Sequence, residues 1–287
     1  MINLESLEFK KLNKLNLNTL LNWAAKEGWN PGKNDADLFW ATDPDAYYGL
    51  FENNELVAGG AITAYNMEFG FMGLFIVNPE FRRSGIGKKL WYLRRDQLIK
   101  RLKEDAAIGM DGVVTMQPFY KQGGFNFAFK DTRYQLVSAK RNYSENILSI
   151  NPDEYNAIIE YDKICFGFKR STFIKLWLSQ KNSVSYQYQI GNEILGYATI
   201  RKTEIGYKIG PLFADSPVIA ENLLNYCVSS FKDEVYFIDV PSINSDATKL
   251  VLEYSGTAVF ECGRMYYGTP PLLPMHKIYG ITTLELG

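Results

Sequence analysis

The chain has 287 residues, with 31 Lys+Arg against 32 Asp+Glu, a formal net charge of -1, 46% hydrophobic and 15% aromatic residues, three cysteines and one histidine. The length suits one large or two ordinary domains, and near-neutrality argues against a dedicated nucleic-acid binder or a polybasic membrane binder. Cys165, Cys227 and Cys262 form neither a CxxC pair nor an even-numbered framework, so a zinc ribbon or a secreted disulfide scaffold is not indicated and a cytoplasmic setting is expected.

Hydrophobic periodicity divides the first half into short alternating strands and helices. A strand is expected over 4–9. A helix follows over 17–25, where Leu17, Leu20, Leu21 and Ala24 recur at helical spacing before Gly28, Pro31 and Gly32 break it. A second helix over 35–42 ends before Pro44. Residues 47–51 and 56–65 read as a hairpin around Asn53 and Asn54. The most apolar strand, 69–77, stops at Asn78-Pro79 and leads to a helix over 86–103. A strand over 106–110, a helix over 117–122 and a strand over 125–137 complete this half. The polar stretch 138–151 marks the expected boundary between domains at 1–140 and 150–287. Helices over 152–166 and 170–179, strands over 183–190, 194–202 and 206–213, a helix over 217–231, a strand over 235–240 and a helix over 247–254 repeat a similar grammar.

The lone His276 removes HExxH zinc sites and Ser or Cys triads from consideration and reads as structural. No apolar run approaches the ~18 residues of a membrane span.

The segment from Phe75 to Leu90 carries the clearest chemistry. A buried strand passes through Arg82-Arg83-Ser84-Gly85-Ile86-Gly87-Lys88 into the first turn of a basic helix, whose free N–H groups and dipole favour an anion. A P-loop would need Gly in place of Arg82 and Ser or Thr in place of Lys89, and the dinucleotide fingerprint would need a small residue in place of Leu90. An ordinary helix start with a solvated basic face is the bland alternative.

Together with Tyr120-Lys121-Gln122-Gly123-Gly124-Phe125, this loop resembles the GNAT superfamily of N-acetyltransferases, whose pyrophosphate loop reads Arg/Gln-x-x-Gly-x-Gly/Ala and whose later helix carries Tyr-x-x-x-Gly-Phe. Residues 23–32 and the ending Tyr279-Gly280-Ile281-Thr282-Thr283-Leu284-Glu285-Leu286-Gly287 are similar to a subgroup with a second, GNAT-like C-terminal domain. The resemblance implies an α/β (α+β) chain of two tandem GNAT-like domains, each a mixed, mostly antiparallel central sheet flanked by helices. It also implies acetyl-CoA as acyl donor and a small amine as acceptor, in a ternary complex. A metal, a nucleic acid and a membrane have no part in this expectation, and a monomer and a homodimer both fit it.

By position, the backbone of Phe75, Ile76 and Val77 would hold pantetheine and polarise the thioester. Arg82, Arg83, Ser84, Gly85, Ile86, Gly87 and Lys88 would hold the pyrophosphate. Asp111 to Val113 stand where the family often has an asparagine. Tyr120 is the expected general acid, since a phenol with a reference pKa of about 10 is protonated at neutral pH. Glu68 is the nearest carboxylate for a general base, with proton removal through ordered water as the alternative. Trp29, Trp40, Tyr65 and Met67 are candidates for the acceptor pocket, and Asp239, Arg264 and Glu285 of the second half for substrate selection. The second half lacks both the basic loop and the tyrosine and reads as a degenerate domain. Arg94-Arg95 and Lys100-Arg101 read as a solvated face. A catalytically silent acyl-CoA-binding regulatory protein and a protein or peptide N-acetyltransferase are the competing readings.

Overall fold

The computed structural model describes residues 3–136, 144–231 and 234–287, so the first part of the expected boundary stretch, 138–143, lies outside the described residues. The chain opens with a 3-10 turn over Leu4–Ser6, capped by the Asn3 side chain, so the first strand, β1 (Glu8–Lys11), starts later than the apolar pattern suggests. Helix α1 (Lys14–Lys26) begins earlier than its apolar stripe because Asn13 and Asn16 cap each other reciprocally at 2.9 and 3.1 Å. There follow α2 (Asp35–Thr42), β2 (Tyr47–Glu52), β3 (Glu55–Tyr65), β4 (Phe69–Val77), α3 (Ile86–Ile99), β5 (Ala107–Val113), α4 (Gln117–Gln122) and β6 (Asn126–Leu136).

The second half contributes β7 (Ile147–Ser149), α5 (Tyr155–Phe166), α6 (Ser171–Ser179), β8 (Ser183–Ile190), β9 (Glu193–Lys202), β10 (Tyr207–Ala214), α7 (Pro217–Ser229), β11 (Tyr236–Pro241), α8 (Ser245–Glu253), β12 (Thr257–Tyr267) and β13 (Ile278–Gly280). The two halves carry mixed, mostly antiparallel sheets that merge into one, in the order β1-β2-β3-β4-β5-β12-β6-β11-β10-β9-β8-β7. The merging involves an exchange across the middle of the chain. Strand β12 lies between β5 and β6, filling the sheet of the first half, while β6 flanks β11 of the second.

Each half contains one parallel pair that opens partway along. Strands β4 and β5 pair at Phe69↔Ala107, Gly70↔Ile108 and Phe71↔Gly109 and then diverge. On the other side of β4 the register with β3 slips between Gly59 and Ala61, leaving a bulge at which Leu74 takes φ 47. In the second half, β10 and β11 pair over Tyr207↔Tyr236 to Ile209↔Ile238, and β10 bulges between Ile209 and Leu212. Here the opening is filled by the protein itself. Strand β13 pairs with β10 at Leu212↔Gly280 and Phe213↔Ile278, and the Ile281 N–H donates to the Asp239 carbonyl at 2.9 Å.

The tail then crosses to the first half. Tyr65 Oη donates to the Leu286 carbonyl at 2.8 Å, and Arg170 Nη1 to the Gly287 oxygen at 2.7 Å. Leu286 is fully buried in a core shared by both halves, with Leu20, Phe39, Phe71, Phe166, Phe173 and Trp177 among its members. An apolar core of this kind fixes the halves against each other more firmly than a polar domain contact would.

One expectation is corrected here. Arg94 is not on a solvated face: it is fully buried, and its Nη2 donates to the carbonyls of Ala61 and of Gly73, the latter at 2.7 Å. The bulge leaves strand carbonyls outside the ladder, and an arginine from α3 supplies the donor they need. Arg101 likewise turns inward, onto both Asp43 oxygens at 2.7 and 2.8 Å.

Candidate active site

Between β4 and α3 the chain forms the loop singled out in the sequence. Asn78 caps a 3-10 turn over Pro79–Phe81. Arg83, at φ 62, and Gly85, at φ 89, then adopt left-handed backbone, which turns the chain sharply into α3. Lys89 donates to the Gly85 carbonyl at 3.1 Å, so the N–H groups of Ile86, Gly87 and Lys88 before it form the open first turn. Gly87 packs against the strand it faces, where a Cβ would sit 3.3 Å from Val77 Cγ2.

The cations of the loop divide into two kinds. Arg82 is committed to structure, with Nε on the Val77 carbonyl at 3.1 Å and Nη2 on Glu27 at 2.6 Å. Arg83 and Lys88 are exposed and form no ion pair among the described residues. A phosphate arriving at the first turn of α3 would therefore meet two uncommitted positive charges.

Beside this loop, the opening between β4 and β5 leads into a cavity of about 610 Å³, counting the space at its mouth. Met72, Gly73, Leu74 and Phe75 of β4 face Met110, Asp111 and Val113 of β5 across it. Beyond Phe71, β4 has no strand partner on the β5 side, so the backbone of Phe75, Ile76 and Val77 borders the gap. Tyr120 closes one end. Its ring stacks on Trp91 at 5.9 Å, and the turn after it requires Gly123, where a Cβ would meet the Trp91 ring at 2.0 Å, and Gly124 at φ 93. Burial pushes the Tyr120 hydroxyl up to about 12, against the opposing pull of Arg94, so it stays protonated across the neutral range.

The other walls come from elsewhere in the chain: Trp29 from the loop after α1, Arg133 from β6, Phe260 and Cys262 from β12, and Leu284 and Glu285 from the tail. The close approach of the tail depends on Gly73, where a Cβ would lie 1.8 Å from the Glu285 carbonyl oxygen.

The expected site residues separate in the structure. The loop, Tyr120 and Trp29 come together around the cavity. Glu68 does not: it stands at the closed, paired end of β4, meets Lys103 at 3.4 Å on the surface and is not among the residues lining the cavity. Tyr65 is buried under Phe166 and Phe173 and gives its hydroxyl to the tail. Trp40 stacks on Tyr47 at 5.9 Å, and Met67 is exposed.

Asp239 and Arg264 are held in buried bidentate pairs beneath the cavity. Arg133 binds Asp239 at 2.7 and 2.9 Å, and Arg264 binds Asp111 at 2.6 and 2.9 Å. Burial pushes the Asp239 carboxyl up, but Arg133 outweighs it and the net direction is down. Burial also works against the Arg264 charge, and Asp111 reverses it, holding the guanidinium well above its ordinary value. Asp111 thus replaces the asparagine often found here with a carboxylate already neutralised by β12.

Asp111, Asp131 and Cys262 bring a ligand atom each within 4.8 Å of one another, the one cluster among the described residues with a donor set that could hold a cation. Arg264 already occupies both Asp111 oxygens, however, and burial together with Asp111 drives the Asp131 carboxyl well above the carboxylate range. Both Asp131 oxygens are buried without a hydrogen-bond partner. Among the described residues no helix is long and apolar enough to cross a membrane.

Comparison with known proteins agrees with this geometry. The family model described as acetyltransferase (GNAT) family matches residues 15–125, and that described as acetyltransferase (GNAT) domain matches residues 158–280. A holothin acyltransferase of Pseudoalteromonas sp. is 26% identical over 267 residues, covering 92% of this chain and 89% of that protein. An uncharacterised N-acetyltransferase of Bacillus subtilis is 22% identical over 287 residues, with 98% of each covered. Among solved structures, a Pyrococcus horikoshii protein whose acetyltransferase assignment is itself provisional superposes with a TM-score of 0.84 at 21% identity, over 100% of this chain and 98% of that one. A tandem GNAT protein from the clavulanic acid biosynthesis pathway gives 0.60 at 15% identity, over 93% of this chain and 99% of that one.

Proposed function

We propose, for a chain that belongs to the GNAT superfamily of acetyltransferases and carries two tandem domains of that fold, that it transfers the acetyl group of acetyl-CoA to the amine of a small molecule by direct attack in a ternary complex. The observation that carries the reading is a coincidence of three features around one cavity: an open anion-binding turn, an unpaired strand edge and a buried, protonated phenol.

In this reading the open first turn of α3, with Arg83 and Lys88, takes the pyrophosphate, and the free edge of β4 at Phe75, Ile76 and Val77 takes the pantetheine arm. A β4 N–H facing the thioester carbonyl would stabilise the oxyanion of the tetrahedral intermediate. Tyr120 gives its proton to the departing thiolate, a transfer worth about 10²–10⁴-fold in rate where the acid is well placed. No step calls on a metal or a histidine. A small acceptor is favoured over a peptide because Leu284 and Glu285 of the tail add a further wall to the cavity. A cytoplasmic setting, where acetyl-CoA is available, belongs to the same proposal; monomer and homodimer both accommodate it.

Thiol release from acetyl-CoA over a panel of primary amines tests the reading, with calorimetry of acetyl-CoA binding beside it. Turnover with at least one amine is expected. Tight binding of acetyl-CoA without turnover of any amine would leave a silent acyl-CoA-binding protein instead. Gly87→Glu should abolish acetyl-CoA binding, because the new carboxylate would stand in the first turn of α3; intact binding would mean that the pyrophosphate lies elsewhere.

A further inference from the structure

Three charged side chains line the cavity, and two are committed elsewhere. Asp111 gives both oxygens to Arg264. Arg133 binds Asp239 through Nε and Nη2 and the Trp29 carbonyl through Nη1 at 2.8 Å. Glu285 is the third. It is 3% exposed, accepts a hydrogen bond from Thr283 Oγ1, and pairs with no lysine or arginine among the described residues.

The charges facing Glu285 come from four elements: Asp35 on α2, Asp111 on β5, Arg133 on β6 and Lys208 on β10. Asp35 is held by Arg201 at 2.9 Å, so pairing these groups leaves Glu285 and Lys208 over. Lys208 does not close on Glu285; the hydrogen bond it makes is a long one to the Trp29 carbonyl, 3.4 Å. A buried carboxylate without a bound cation is costly unless something positive arrives to meet it.

We infer that Glu285 receives the ammonium of the acceptor and takes its proton, and that the acceptor is a primary amine with one cationic centre on an apolar or aromatic body. The inference rests on the acetyl-transfer reading above. The remaining walls, Trp29, Leu74, Phe75, Phe260 and Leu284, offer apolar surface to that body and no second anion to a polyamine. An amino acid would bring its own carboxylate against Glu285.

The step balances as follows. The ammonium loses one proton to Glu285, and the nitrogen lone pair forms the C–N bond at the thioester carbon. Collapse of the tetrahedral intermediate breaks the C–S bond. The thiolate takes the Tyr120 proton, and the N-protonated amide returns a proton to the Tyr120 phenolate. Glu285 then releases its proton to solvent, so the products are an amide, free CoA and one proton.

Thiol release is measured with 2-phenylethylamine, tryptamine, spermidine and phenylalanine. The two arylalkylamines should exceed spermidine and phenylalanine by at least about 100-fold in kcat/KM, because each of the latter would bury an additional unpaired charge in an apolar cavity. Glu285→Gln should lower kcat/KM for 2-phenylethylamine at least about 100-fold, with acetyl-CoA affinity unchanged. The loss should shrink as pH rises toward the amine's own pKa near 10, where the acceptor arrives neutral. The wild-type chain gives an arm free of folding effects: 2-phenylethylamine should occupy the acceptor site, and 2-phenylethanol should fail to compete with it. Preference for spermidine or phenylalanine, equal competition by the alcohol, or a fully active Glu285→Gln overturns the inference while leaving acetyl transfer standing. Absence of turnover with every amine, despite acetyl-CoA binding, overturns the transfer reading and the inference with it.

Discussion

Gly73→Ala adds one methyl group at the point where the two halves of the site meet. Gly73 has no positive φ, so alanine is conformationally acceptable there and the effect must come from space. The new Cβ would lie 1.8 Å from the Glu285 carbonyl oxygen, and that oxygen would have to retreat by about 1.5 Å to reach an ordinary 3.4 Å contact. The obstacle is backbone, which no rotamer change can move aside. If the tail lifts, the burial of Leu286 is lost, about 1.5–3 kcal/mol. With it goes the Tyr65 hydrogen bond to the Leu286 carbonyl, about 1 kcal/mol. A loss of about 2.5–4 kcal/mol follows, or about 10 °C in Tm at 2–4 °C per kcal/mol for a chain of this size class. Thermal and urea denaturation measure it directly, and acceptor KM should rise because Glu285 moves with the tail. A Gly73→Ala protein with unchanged Tm and unchanged acceptor KM would refute the seating of the tail against β4.

Tyr120→Phe should lower kcat about 10²–10³-fold with acetyl-CoA affinity preserved, since the ring packs on Trp91 without its hydroxyl; steady-state kinetics with calorimetry decide it, and an unchanged kcat removes Tyr120 from the acid role. Lys208 predicts a pH dependence of stability: burial, then Arg133, pull its ammonium down to about 8 from 10.5. The folded state therefore binds this proton less readily than the unfolded state, so stability rises as pH increases from about 8 toward 10.5, by up to about 3 kcal/mol from this group. Above about 10 the buried tyrosines act in the opposite sense, because a hydroxyl raised to about 12, such as Tyr120, must lose its proton more easily on unfolding. Urea melts from pH 7 to 10 should show the rise in the wild type and its loss in Lys208→Met; a flat wild-type curve would contradict it. Asp131→Asn should stay within about 1 kcal/mol of the wild type at pH 7, because burial and the neighbouring Asp111 drive the carboxyl it replaces toward its neutral form; a loss above 3 kcal/mol, or stabilisation of the wild type by added zinc, would point to an ion between Asp111, Asp131 and Cys262.

The parts of the site legible in the sequence are those built from one stretch of chain. The turn from Arg82 to Gly87 and the Tyr120-to-Phe125 segment owe their shape to left-handed glycines and to strand and helix ends within a few residues, so spacing alone reveals them. Nearness in sequence to the interior of β4 suggests Glu68, but a strand carries its ends about 3.3 Å further apart per residue, and only the far end opens. Arg94 carries the same charge signal as a surface arginine; what engages it is the bulge between β3 and β4. Asp239 and Arg264 read as free polar groups because their partners, Arg133 and Asp111, lie across an exchanged strand. The exchange itself has no local signature, since β12 differs from any other strand only in which gap it fills.

The placement of β12 also sets a limit on when and in what pieces this protein can exist. The gap between β5 and β6 cannot close until Tyr267 has been synthesised, so the earlier half must wait on the ribosome with two open strand edges, the surfaces most prone to wrong pairing. Expressing 1–140 alone would leave that gap permanent. For the same reason the second half cannot be replaced by a relative's without also replacing the strand that completes the first.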